Sequence, residues 1–434
     1  MLAGIIEILN HIKEVSAWKI IEKETQGHEL FFINKNLDMN RSKKVKHLFL
    51  TMYHDFREDR DYRGSVHVRL HPTYSLSEIE NMIRKSLFAA QYVKNEPYPL
   101  AEPGPAAITI PESRFASEPL ENWLIPLSEA LFKEDNLDKG GINSAELFLN
   151  RIKTRILNSA GVDAAYIAYK GDLEIITEWH GQTENVELYK LIHFSDFFPE
   201  KIADSVKKQL LLCRDRARAK ATPALEVPVL LTGEPVREFF SYYLSQASAE
   251  NVYKKISTME KGRSIQGDRI EGDALNVRLE PYLVDSVQST AWDADGLALK
   301  SIAIIEQGVL KHYWGPLRFT HYLNSPATGD VPNTIVKEGT CPVRDMRQGA
   351  YLEVLSFSDF QCDPLTGDFG GEIRLAQYAS ADGSEPIPVT SGSISGNIKS
   401  VQHHMIFSSD IQVFDNFQGP ETVRLHNVNI TGAE

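Results

Sequence analysis

Val227-Pro228-Val229-Leu230-Leu231 runs through a short turn into Arg237-Glu238-Phe239-Phe240-Ser241-Tyr242. The first piece reads as a buried strand and the second as a helix. Before this stretch, strand and helix signatures alternate. After it, helix signals largely disappear, and short strands separated by Gly, Asp and Asn turns take over. The stretch therefore marks the passage from an N-terminal layered α/β region to a β-rich C-terminal domain, and the fold class is α+β.

Upstream, Leu2, Ile5, Ile6, Leu9 and Ile12 fall on one helical face. Leu30–Ile33, His47–Tyr53 and Gly64–Pro72 read as strands. Ser75 and Glu78 form a capping box for a helix whose apolar positions are Ile79, Met82, Ile83 and Leu87. The Pro-rich run 96–105 suits neither helix nor central strand and marks a first boundary. Helices are expected near Leu120–Lys133, from about Ser144 to Leu157, and from Pro199 to Lys220. Asn158–Gly161 reads as a turn, and two strands are expected to flank a turn at Lys170-Gly171-Asp172. With a second boundary at 221–226, the chain divides into α+β segments 1–100 and 106–220 and a β-rich domain 225–434.

The 434 residues are 42% hydrophobic and 24% charged, with 46 Lys and Arg against 59 Asp and Glu, a net charge of −13. That balance argues against a nucleic-acid surface, since affinity for phosphate backbone comes from clustered cations. The densest basic run, Arg214–Lys220, reads as the solvated end of a helix. No apolar run approaches the ~18 residues of a membrane span, and no secretion signal is legible, so no membrane partner is expected. Cys213, Cys341 and Cys362 have neither disulfide-framework nor metal spacing. The expected location is the cytoplasm.

Three blocks further on carry a family likeness. The first comprises Leu279-Glu280-Pro281-Tyr282-Leu283, Trp292-Asp293-Ala294-Asp295-Gly296 and Ile305–Lys311. The second is Thr328-Gly329-Asp330-Val331-Pro332-Asn333. The third comprises Thr366-Gly367-Asp368-Phe369, Pro388-Val389 and Ile394-Ser395-Gly396-Asn397, with Asp410 shortly after. In order and spacing they resemble the TldD/PmbA family, also called the modulator of DNA gyrase family. The resemblance implies a dimer with a β-rich C-terminal domain. It also implies that, in the TldD branch, a helical His-Glu-x-x-x-His motif and a later Cys bind zinc, with the Glu as general base. The PmbA (TldE) branch lacks those ligands and serves as partner subunit of a metallopeptidase.

Under that resemblance Arg237, Glu238 and Tyr242 stand at the zinc-helix positions. Arg has no lone pair to give and a neutral phenol is a poor ligand. The stretch Asn416–Glu421 stands where the Cys is expected, and no cysteine follows Cys362. No metal and no other cofactor is therefore expected. Other histidines offer little. His67 and His71 lie about 13 Å apart on a strand, His403 and His404 diverge, and His321 has no assigned chemistry. Glu238 reads as paired with Arg237 or solvated, and Phe239, Phe240, Tyr242 and Tyr243 as core. Asp293, Asp295, Asp363 and Asp368 read as turn residues.

The expectation is a zinc-free, non-catalytic subunit or a peptide-binding homodimeric relative of a cytoplasmic metallopeptidase. Its partners would be a second copy or a zinc-bearing paralogue, and extended or unfolded peptides. The alternative is an active hydrolase using a different metal site. Direct action on DNA is suggested only by the family's second name, and the net charge weighs against it.

Overall fold

The computed structural model describes residues 1–181 and 185–433, so residues 182–184 of the second segment and residue 434 of the third lie outside the described residues. The N-terminal half consists of two αβββα units in succession. The first is α1 (Leu2–His11), β1 (Ala17–Ile33), β2 (Asn36–Arg57), β3 (Asp61–Leu70) and α2 (Leu76–Ala90). The second is α3 (Leu124–Phe132), β4 (Gly140–Asn158), β5 (Asp163–His180), β6 (Asn185–Phe194) and α4 (Pro199–Arg216). Pairing of β1 with β4 fuses them into one sheet, ordered β3-β2-β1-β4-β5-β6. The segments 1–100 and 106–220 thus each supply three strands to a single sheet.

Period-two alternation gives this sheet two different faces. Trp18, Ile20, Leu48 and Leu50 are buried under α1 and α2. Leu30, Phe32, Leu147, Leu149, Leu173 and Ile175 are buried with α3 and α4. The capping box at Ser75 forms as expected, the Ser75 side chain accepting from Glu78 N and the Glu78 side chain from Ser75 N. The opposite face carries Lys19 and Tyr166 toward the C-terminal half. Lys19 Nζ lies 2.5 Å from Asp295 Oδ1, and the Tyr166 ring is 6.4 Å from that of Trp292.

Two expectations are corrected here. Residues 144–157 are strand, not helix: β4 pairs with β1 and β5 along nearly its whole length. Lys170-Gly171-Asp172 is not a turn between strands but the middle of β5. Gly171 is required there by packing, because a Cβ would come within 2.0 Å of the Phe194 ring.

The C-terminal half is built on two sheets, of six and nine strands. Between them runs α5 (Glu234–Gln246), entered through Gly233 at φ +82. Val236, Phe239, Phe240 and Tyr243 recur at helical spacing and are at most 1% exposed. Phe239 meets Phe369 edge-on at 5.5 Å, and Phe240 meets Phe407 likewise at 5.4 Å. Each such ring contributes roughly 1.5–3 kcal/mol by leaving water. Beyond α5 the described helices are short, the longest being Leu317–Tyr322. Among the described residues no helix is long and apolar enough to cross a membrane.

Candidate functional site

Helix α5 directs its sequence-marked residues to different surroundings. Arg237 leaves the core and donates from Nη1 to Asp415 Oδ2, with Asn416 Oδ1 at 3.5 Å. Its guanidinium lies 5.5 Å from the centre of the Phe414 ring. Glu238 is not its partner. The Glu238 side chain is half-buried and makes no ion pair or hydrogen bond among the described residues, and it helps push the Cys362 thiol up to about 12, after burial. Tyr242 is inside the core, its ring 5.3 Å from Tyr243 and facing Gly367. Its hydroxyl is buried without a partner among the described residues. Burial also holds the phenol neutral by raising its pKa.

The positions read as zinc positions therefore do not fit zinc. One holds a guanidinium committed to a carboxylate, the other a phenol kept protonated in an apolar seat. The stretch from Asn416, read as the third-ligand region, does come to the helix, through the turn that carries Asp415. Among the described residues no group of three His, Cys, Asp or Glu is placed to hold a metal ion.

The other histidines are separately engaged. His67 meets Thr51 Oγ1 at 2.8 Å, and His71 meets Thr73 Oγ1 at 2.7 Å just past β3. His403 contacts Arg269 O, His404 pairs with Glu271, and His321 is exposed on its short helix. Two of the aspartates read as turn residues, Asp293 and Asp363, do close turns. Asp293 Oδ1 accepts from Asp295 N and Leu297 N, and Asp363 Oδ1 from Leu365 N and Thr366 N. Asp368 is hydrogen-bonded by Asn397.

Arg237 opens onto a cavity of about 380 Å³ where β6 and α4 meet the start of α5 and the 413–415 segment. Here lies a pair that the sequence did not single out, His193 on β6 and Asp172 beside it on β5, Nδ1 to Oδ1 2.6 Å. The Asp172 carboxylate holds the His193 pKa above its ordinary value, with help from Asp415. Two further cations of the lining are neutralised, Lys190 by Glu234 and Lys201 by Asp285. Lys208 has no ion pair among the described residues. The signal for His193 was weak, a lone histidine in the apolar run Leu191–Phe194, and Asp172 was hidden in an apparent turn.

Residues 225–432 match the family model described as the PmbA/TldA metallopeptidase C-terminal domain. Over that span the chain belongs to the TldD/PmbA family. An uncharacterized protein of Methanocaldococcus jannaschii is 24% identical over 282 residues, 62% of this chain and 65% of that one. Metalloprotease PmbA of Escherichia coli O157:H7 is 23% identical over 272 residues, 60% of this chain and 58% of that one. The chain thus spans about three-fifths of the length of these relatives. TldE from Thermococcus kodakarensis shares the fold, with a TM-score of 0.76, 15% identity, and 99% of this chain and 100% of that chain covered. The fold places Arg237 and the 415–416 turn together at the seam between its halves, and leaves Glu238 beside Cys362 instead.

Proposed function

We propose that this TldD/PmbA-family chain is a zinc-free member that binds peptides rather than cutting them. It serves as the non-catalytic subunit beside a zinc-bearing paralogue in the cytoplasm, or as a homodimer. The carrying observation is the Arg237–Asp415 ion pair. It ties the helix to the 415–416 turn through a fixed cation, and such a group neither binds a metal nor lowers the pKa of a water.

Peptide capture is supported by the exposed sheet edges. The part of β2 from Asn36 to His47 pairs with β1 on one side and extends past the end of β3 on the other. Such an edge accepts an added strand through its backbone groups. Direct DNA binding is not part of the proposal.

The test is to incubate the full chain with an unstructured peptide mixture, with and without added zinc. Saturable binding without cleavage is expected. Chelator-sensitive cleavage by the isolated chain would overturn the reading.

A further inference from the structure

The cavity at the start of α5 has a chemistry more specific than peptide capture. We infer that it receives the C-terminal residue of a peptide, with the free carboxylate held by Arg237, His193 and Lys208. This rests on the peptide-binding reading and adds to it which end of the peptide is recognised.

Three observations point the same way. The first is the supply of donors. Only Nη1 of Arg237 is engaged among the described residues, so the rest of its five-donor fork is free. His193 is anchored through Nδ1, leaving Nε2 as its free ring nitrogen. Lys208 brings a charge that no neighbour neutralises among the described residues. Positive charge with open donors is the requirement for a carboxylate.

The second is an acceptor without a donor. Asp415 Oδ1 is buried and unpartnered among the described residues, while Oδ2 takes Arg237. A buried acceptor is costly to leave empty. A peptide's last residue carries an amide N–H one bond length from the carbon that bears its carboxylate, so a single residue supplies both groups. An inorganic phosphate would answer the cations while bringing more negative charge against Asp415.

The third is the wall. Val284 and Val413, 49% and 37% exposed, line the same cavity beside Phe198 and Phe414. Apolar surface of this kind is covered by an aliphatic or aromatic side chain. A volume near 380 Å³ lies at the small end of ligand sites, roughly 300–1,000 Å³. It suits a terminal residue better than a folded segment.

The experiment uses the full chain and a hexapeptide ending in leucine, fluorescently labelled at its N-terminus, as free acid and as C-terminal amide. Fluorescence polarisation at neutral pH is expected to show the free acid binding roughly tenfold or more tighter, the scale of a charge-assisted hydrogen bond. Lys208→Ala, on the surface of α4, and His193→Gln are each expected to shrink that ratio with unchanged circular dichroism, and Lys208→Ala with an unchanged melting temperature as well. Equal binding of acid and amide, untouched by either substitution, would overturn this inference and leave peptide capture standing. Absence of binding by both peptides, and by a longer unstructured peptide, would remove the two together.

Discussion

Arg237 and Tyr242 lie five residues apart on one helix and serve opposite environments. Arg237 reaches out to Asp415 at the edge of the seam, whereas Tyr242 is 1% exposed in the core against Tyr243 and Gly367. Five residues of helix turn through about 500°, so the two side chains start some 140° from alignment. The packing on each side then fixes that divergence.

Installing the ligands in place therefore does not rebuild a zinc site. Arg237→His with Tyr242→His is expected to purify with zinc well below one per chain, even after zinc loading. Losing the Tyr242 ring for a smaller polar one is expected to cost about 2–4 kcal/mol, read by chemical denaturation. Stoichiometric zinc in the double variant would show that the two positions do converge.

Asp293 gives a pH signature. It is 5% exposed, and burial, then Asp295, pushes its pKa up to about 6. The folded value exceeds the unfolded one, so its contribution to stability is full below about pH 4 and is lost as pH rises through about 6. Asp293→Asn keeps an acceptor for Asp295 N and Leu297 N but cannot ionise. Denaturation curves from pH 4 to 7 should show the variant losing less stability than the parent, by at most about 3 kcal/mol at neutrality. Parallel curves would contradict the assignment.

The His193–Asp172 pair titrates in the opposite sense to a carboxylate salt bridge. A raised histidine pKa adds stability below the unfolded value, about 6.5, that disappears as pH rises through the folded value. Asp172→Asn is expected to lower the His193 pKa, observable on its imidazole resonances in NMR. An unmoved resonance would mean that the 2.6 Å contact does not persist in solution.

Core and cap substitutions calibrate the fold. Phe240→Ala removes a ring seated against Phe407 and Phe417 and is expected to cost about 3–5 kcal/mol. Ser75→Ala breaks the capping box of α2 and is expected to cost about 1 kcal/mol. The ratio of the two, from the same denaturation assay, checks that α5 rather than α2 anchors the molecule.

Local chemistry made much of this architecture readable. Ser75 and Glu78 announced α2, the spacing of Phe239, Phe240 and Tyr243 announced α5, and the Asp-Gly turns of the C-terminal half stand where their sequences put them. The long sheet was harder to read. In β4, Phe148, Ile152 and Ile156 repeat every four residues while Ala145, Leu147 and Leu149 alternate, so both periods fit. At 19 residues the strand also far exceeds the usual five or six. Gly171 looked like a turn because its cause, the Phe194 ring, arrives from a strand more than twenty residues away. His193 and Asp415 became visible only when β6 and the 413–415 segment met across the seam, a relationship that no local pattern encodes.

The central claim is that the seat of α5 holds an ion pair and no metal. The most direct measurement is metal content by plasma mass spectrometry on protein purified without a histidine tag. Zinc well below one per chain is expected, unchanged by dialysis against zinc. One zinc per chain, removable by chelator, would contradict the account.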